Sequence, residues 1–374
     1  DRMAGLEPAF IDVTWGAGGS SSEATLEISK NAQMYFGLDV MMHLTCTGLT
    51  KKQLKDALIK AADAGIENIL ALRGDPPVGA SEWHKVENGL DYAMDEVMVG
   101  SGGKQLLFDA LVSTVERGDE VIVPAPYWIS YIDHVKFAGG TPVIVTASAE
   151  NGFKLTPEQL EAAITPNTRW LILNSPSNPS GAVYERDELR GLADVLLRHP
   201  HVAIFADDIY EHIIFDDLQF CTIAAVEPKL KDRTVTMNGA SKVYSMTGWR
   251  IGYCGGPAAL IKEMTKLQQQ ITGSNSSVSQ AAALAALNGP QDFVKTNTKS
   301  FQERRDLVVS MLNQTTGLKC PTPKGAFYVF PDCSALIGKK TPDGTVIEND
   351  TDLVMYFLES HGVACVQGDA YGMS

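Results

Sequence analysis

The run Asn238-Gly239-Ala240-Ser241-Lys242-Val243-Tyr244-Ser245-Met246-Thr247-Gly248-Trp249-Arg250-Ile251-Gly252-Tyr253 decides how this chain is read. Thr234 to Met237 is an apolar run, so Lys242 falls in a small-residue turn directly after a predicted strand. Such a turn lets an amine reach a carbonyl without steric obstruction, and nearby cations keep part of that amine neutral and nucleophilic. Arg250 follows with a planar fork suited to holding a phosphate through two parallel hydrogen bonds. Taken alone, the lysine is equally readable as a solvated surface residue.

Four neighbouring elements remove that ambiguity. Val97 to Gly100 reads as a strand, and Ser101-Gly102-Gly103-Lys104 as a glycine turn opening a helix, whose amides can receive a phosphate. Pro126-Tyr127-Trp128 supplies a flat aromatic. Asn174-Ser175-Pro176-Ser177-Asn178-Pro179-Ser180-Gly181 closes a strand and presents an amide. Ala206-Asp207-Asp208-Ile209-Tyr210 sets a carboxylate and a phenol at the end of another. Ligands collect at that edge of open parallel sheets. Singly, the glycine turn is an ordinary strand-to-helix turn and Trp128 a core residue. Together they suit pyridoxal phosphate: a carboxylate keeps the pyridine nitrogen protonated so the ring accepts electrons, and a lysine forms the Schiff base.

On these motifs, residues 94–374 resemble the class I, fold type I aminotransferases, and within them the aspartate aminotransferases. The resemblance implies that Lys242 is the Schiff-base lysine and proton shuttle. It implies that Asp207 pairs with the pyridine nitrogen, that Tyr210 and Asn178 bond the ring oxygen, and that Trp128 stacks on the ring. Gly103, Lys104 and Ser241 would contact the phosphate and Arg250 would bind it by charge. Lys324-Gly325-Ala326-Phe327-Tyr328 is similar to the family's small-domain strand signature, and Gly273-Ser274-Asn275-Ser276-Ser277 to a loop near its dimer interface. A homodimer that moves an amino group from an aspartate-like amino acid to a 2-oxo acid such as 2-oxoglutarate is the implied activity.

The beginning of the chain has a different texture. Ala9 to Trp15, Leu38 to Leu44 and Ile69 to Leu72 are short apolar runs separated by helical patterns, which implies parallel strands with helical crossovers. Glu7 to Trp15, His43-Leu44-Thr45-Cys46 and Ala71-Leu72-Arg73-Gly74-Asp75-Pro76 resemble methylenetetrahydrofolate reductase, a flavin-dependent (βα)8 barrel. That resemblance matches Thr14, His43 and Asp75 to flavin-contacting positions and makes FAD a second cofactor reading. Three units cannot close a barrel, so no folate reduction is expected.

The expected organisation is therefore a partial barrel segment over 1–93, a large cofactor-binding α/β domain over 94–295 with a mostly parallel sheet flanked by helices, and a small α+β domain over 296–374. In the last part, strands are expected at Ala326 to Phe330 and Val363 to Val366, and a helix over Gln302 to Leu312. The stop at Gly372-Met373-Ser374 precedes the place where the family carries an arginine for the substrate carboxylate. The sequence reading thus expects a truncated, chimeric chain with impaired transfer. Its alternatives are a chimera that at most binds pyridoxal phosphate, and a flavin-binding reductase fragment.

Composition narrows the rest. Hydrophobic residues are 44% and charged residues 20%, enough apolar surface for packed cores and against wholesale disorder. Asp and Glu number 45 against 31 Lys and Arg, a net charge of -14, and no basic run occurs, which argues against nucleic-acid binding. No stretch approaches a membrane span. The six cysteines form no CxxC pair, so no metal site is signalled, and reduced thiols in the cytoplasm are expected.

Overall fold

The computed structural model describes residues 11–13, 22–36, 40–45, 51–66, 68–72 and 90–373. They fall into two compact units, Asp1–Glu82 and Trp83–Ser374. The first contains β1 (Ile11–Val13), α1 (Ser22–Phe36), β2 (Val40–Thr45), α2 (Lys51–Asp63) and β3 (Asn68–Leu72). The strands pair in parallel, with Ile11 opposite Val40 and Met41 opposite Asn68. Parallel pairing needs a crossover, and each helix supplies one. Buried Met42, Ala61 and Ile66 meet Leu26, Leu54 and Ala57 in a small core. The expected parallel strands with helical crossovers are present as an open three-stranded sheet, and nothing in it shows a fragment of a (βα)8 barrel. Thr14 and Asp75 lie outside the described residues, and of His43 the backbone alone is described, on β2.

The second unit opens with β4 (Val97–Gly100), α3 (Gly103–Val112), β5 (Glu120–Ala125), α4 (Ser130–Phe137), β6 (Thr141–Thr146), α5 (Pro157–Ala163), β7 (Thr168–Asn174) and α6 (Arg186–Arg198). It continues with β8 (Ala203–Asp207), α7 (Ile223–Val226), β9 (Thr234–Gly239), α8 (Ala240–Val243) and β10 (Gly252–Gly255). Helices α9 (Ala258–Ile271), α10 (Ser277–Asn288), α11 (Asp292–Gln314) and α12 (Asp350–His361) follow. The seven strands lie in the order β4-β10-β9-β8-β7-β5-β6. β10 runs antiparallel to both neighbours, and the other pairings among the described strands of this sheet are parallel.

Strand alternation sorts the side chains into two cores. On β8, Phe205 joins Leu106, Leu107, Leu111 and Trp170 on one face. Ile204 and Ala206 join Leu189, Leu192 and Leu196 of α6 on the other. Helix starts follow capping chemistry: the Thr156 hydroxyl accepts from the Gln159 amide at 3.2 Å, and Pro157 takes the first turn of α5.

The second unit begins at Trp83; within it Leu90 is buried and the Tyr92 hydroxyl donates to Thr236 Oγ1 on β9 at 3.1 Å. Two expectations change. Residues 326–330 form no strand. Ala326 takes a left-handed φ of 58°, and the amides of Lys324 and Gly325 both donate to the Gly181 carbonyl, so this backbone bonds to loops of the sheet instead. Residues 363–366 also pair with no strand; they follow Gly362, which closes α12 in the left-handed region. The charged helix expected over 302–312 lies in the C-terminal half of α11.

Candidate active site

The topology gathers the singled-out residues at one edge. β4, β5, β7, β8 and β9 all point their C-terminal ends the same way, and these ends deliver Gly102, Trp128, Asn178, Asp207 and Lys242. The reversed strand β10 begins where they end, so Arg250, just before it, arrives at the same edge. This is the crevice where open α/β sheets bind ligands.

Asp207 is 4% exposed at the end of β8. Its Oδ2 accepts the Tyr131 hydroxyl at 2.6 Å and its Oδ1 accepts the Ile209 amide at 3.3 Å. Burial lifts its pKa to about 6, while the Tyr131 bond, the Ile209 amide and the Lys242 charge pull the other way. Burial holds the Tyr131 phenol well above its usual range, so it keeps its proton and remains the donor. Trp128 meets the Tyr131 ring edge-on at 5.4 Å. Asn174 donates to the Asp207 carbonyl at 2.8 Å and accepts the Asn178 amide at 2.8 Å, which fixes the Asn178 loop beside Asp207.

Lys242 stands in α8 with Nζ 5.5 Å from the ring centroids of both Tyr210 and Phe327. Burial lowers its pKa; Asp207 opposes the shift and Arg250 adds to it. The Tyr210 hydroxyl lies 2.6 Å from that of Tyr328. Ser241 is buried in the same short helix.

The glycine turn and Arg250 form a cradle. Gly102 has a φ of +86°, and a Cβ there would stand 2.5 Å from the Arg250 guanidinium. A Cβ on Gly252 would stand 2.5 Å from the Gly103 nitrogen. Backbone and guanidinium therefore close on the N-terminus of the ten-residue helix α3, whose first amides have no partner within the helix. The contact expected of Lys104 is mainly through its backbone, and its ammonium lies 4.9 Å over the Trp128 ring.

Two residues escaped the sequence reading. Tyr131 was readable as lying one helical turn beyond Trp128. Tyr328 sits in the quoted small-domain signature, but its partner is remote in sequence.

A sheet edge that presents a partly buried lysine, a buried carboxylate and an anion cradle defines a group-transfer site with a phosphorylated cofactor. The chain belongs to the aminotransferase class I and II family, whose family model matches residues 44–374. It is 55% identical over 327 residues to the aspartate/prephenate aminotransferase of Cereibacter sphaeroides, covering 87% of this chain and 82% of that protein. It is 53% identical to the aspartate aminotransferase of Rhizobium meliloti, over 87% and 80% of the two chains. The crystal structure of the Rhizobium meliloti aspartate aminotransferase superposes with a TM-score of 0.76 at 46% identity, covering 96% of this chain and 92% of that one. An aromatic aminotransferase from Pyrococcus horikoshii gives 0.71 at 35%, covering 77% and 74%.

The protein is an aminotransferase, and the family's cofactor is pyridoxal phosphate. The family match takes in residues 44–93, which the sequence reading assigned to a reductase fragment, and it extends to residue 374. The comparisons give no support to a reductase fragment or a chimera, and the chain covers 82% and 80% of these two relatives. The residues present fit the cofactor: the cradle that a Cβ would fill is cationic and amide-lined, as a phosphate requires, and Asp207 offers a buried anion to a pyridinium.

A first prediction follows from the Tyr131 bond. Tyr131→Phe leaves Asp207 Oδ2 buried without that donor, which favours its protonated form. Cofactor affinity, read by titrating absorbance, is expected to fall about tenfold or more. An unchanged affinity would remove Tyr131 from the support of Asp207.

Proposed function

We propose that the chain transfers an amino group between an aspartate-like amino acid and a 2-oxo acid such as 2-oxoglutarate. The observation that carries this reading is the setting of Lys242, with its proton affinity lowered by burial and with Asp207, Tyr210 and Arg250 around it. When bound, pyridoxal phosphate supplies a carbonyl for the amino group and a ring that takes up the electron pair released at the substrate Cα.

Each residue then has a task. The α3 amides, Ser241 and Arg250 hold the phosphate. Asp207 holds the pyridine proton in place, with Tyr131 fixing its carboxylate. Tyr210 and Asn178 hydrogen-bond the ring oxygen, and Trp128 covers the ring face and excludes water. Lys242 Nζ would take the proton from the substrate Cα and pass it to the cofactor C4′ in the same half-reaction, and in the reverse direction in the other; burial, which lowers its proton affinity, supports that task. Lys104, exposed over Trp128, adds a cation at the mouth of the site, which supports a dicarboxylate substrate. Exposed Ile271, Val278, Leu284 and Leu287 on α9 and α10 support the expected homodimer. The free thiols of Cys221, Cys254, Cys320, Cys333 and Cys365 agree with a cytoplasmic setting, and Cys46 lies outside the described residues. Among the described residues no helix is long and apolar enough to cross a membrane.

The test is borohydride trapping after incubation with pyridoxal phosphate, followed by an assay with aspartate and 2-oxoglutarate. The wild type is expected to retain a covalent adduct, and Lys242→Ala to retain none. An adduct that persists in Lys242→Ala, or a wild type that takes up no cofactor, would overturn this assignment.

A further inference from the structure

We propose that Tyr328 is a positioning residue for the reaction: its phenol orients the Tyr210 hydroxyl toward the cofactor ring oxygen and ties residues 325–330 to the cofactor site. This rests on the assignment of Tyr210 made above. Tyr210 is 3% exposed in the turn after β8. Its ring is flanked edge-on by Tyr328 at 5.8 Å and Phe327 at 5.4 Å between centroids. The two phenol oxygens lie 2.6 Å apart, a full hydrogen bond that either partner can donate.

A phenol carries one proton. If the Tyr210 proton is given to the cofactor oxygen, Tyr210 can meet Tyr328 only as an acceptor, and Tyr328 must donate. Cofactor uptake therefore fixes the direction of the pair. Without the Tyr328 hydroxyl, Tyr210 keeps its ring position, but its oxygen loses the neighbour that selects its torsion and polarises its O–H bond.

The backbone makes this geometry rigid. Ala326 is fully buried, its φ is 58°, and its amide donates to the Ile213 carbonyl at 2.8 Å. The Phe215 amide donates to the Lys324 carbonyl at 2.9 Å. The segment carrying Tyr328 is thus pinned on both sides to the turn that carries Tyr210. Phe327 from the same segment is also one of the two rings beside Lys242 Nζ. A residue remote from the cofactor motifs thereby reaches the oxygen chemistry through one phenol.

The test compares the wild type with Tyr328→Phe, Tyr210→Phe and the double variant. Three readouts are used: cofactor affinity, the pH midpoint of the bound-cofactor absorbance change, and urea unfolding of the protein without cofactor. Tyr328→Phe is expected to weaken cofactor binding about fivefold and to move the absorbance midpoint. In the Tyr210→Phe background the same change is expected to do neither, because the hydroxyl it acts through is gone. Urea unfolding is expected to show coupling between the two positions before cofactor is added. A wild type that takes up no cofactor would sink both this proposal and the functional reading. Normal uptake in the wild type with an unmoved midpoint in Tyr328→Phe, or with additive effects in the double variant, would sink this proposal alone.

Discussion

Asp207→Asn is expected to lower the rate of amino transfer by on the order of a thousandfold, because it removes a preorganised charge from a water-excluded site. The amide keeps the shape of the carboxylate and can still meet the Tyr131 hydroxyl and the Ile209 amide. What it loses is the negative charge that keeps the pyridine nitrogen protonated, and with it the ring's capacity to accept electrons. Steady-state rates with aspartate and 2-oxoglutarate give the measurement, and a loss of less than tenfold would contradict the assigned role. The same carboxylate predicts an acid limit. Its pKa is raised to about 6, so cofactor capture by the empty protein is expected to weaken as pH falls below that value. Asp208, the next residue, projects to the other sheet face by strand alternation, and Asp208→Asn is expected to cost the reaction far less.

The second large effect concerns stability. Asp109 on α3 is fully buried, and what opposes the effect of burial on its carboxyl is the Gln105 side chain one helical turn before it. Burial raises its pKa from 3.8 to about 7. The folded chain therefore holds this proton more tightly than the unfolded chain. The stability tied to it is fully present below pH 4, declines as pH rises toward 7, and is gone above. The whole shift corresponds to about 4 kcal/mol, which local relaxation and water entry reduce to about 2 kcal/mol. Asp109→Asn has no proton to lose. It is expected to exceed the wild type by about 2 kcal/mol in urea unfolding at pH 8, with the gap mostly closed at pH 5. Other titrating groups are common to both proteins and cancel in the difference. An equal gap at both pH values would show that Asp109 is not the titrating group.

Much of this was legible in the sequence. Val121 to Val123 and Trp170 to Leu173 are apolar runs bounded by turn residues, and both are strands. Lys242, Asp207 and Arg250 declare themselves because each directly follows or precedes such a run. The direction of β10 was not legible. Its residues look like those of its parallel neighbours, and the connection over residues 240–251 is long enough for either pairing, so neither composition nor spacing reveals the reversal. The absent strand at 326–330 misled for a related reason. Ala326-Phe327-Tyr328 has strand composition, but the Ala326 amide is claimed by Ile213 and the Lys324 and Gly325 amides just before it by Gly181. The bonds to Tyr131 and Tyr328 depend on packing across the fold, which composition and spacing do not encode.

The reversed strand has a consequence for how the protein is made. β4 leads into the phosphate-binding turn, yet its ladder partner is β10, which leaves the ribosome long after it. The same late segment brings Arg250 to Gly102 and seats Gly252 against Gly103. A nascent chain that has reached α8 thus owns the parallel strands of this sheet and Lys242, but not the Arg250 that closes on Gly102. If the α3 amides and Arg250 hold the phosphate as proposed, the phosphate would join the first and last strands of this sheet to be laid down, β4 and β10.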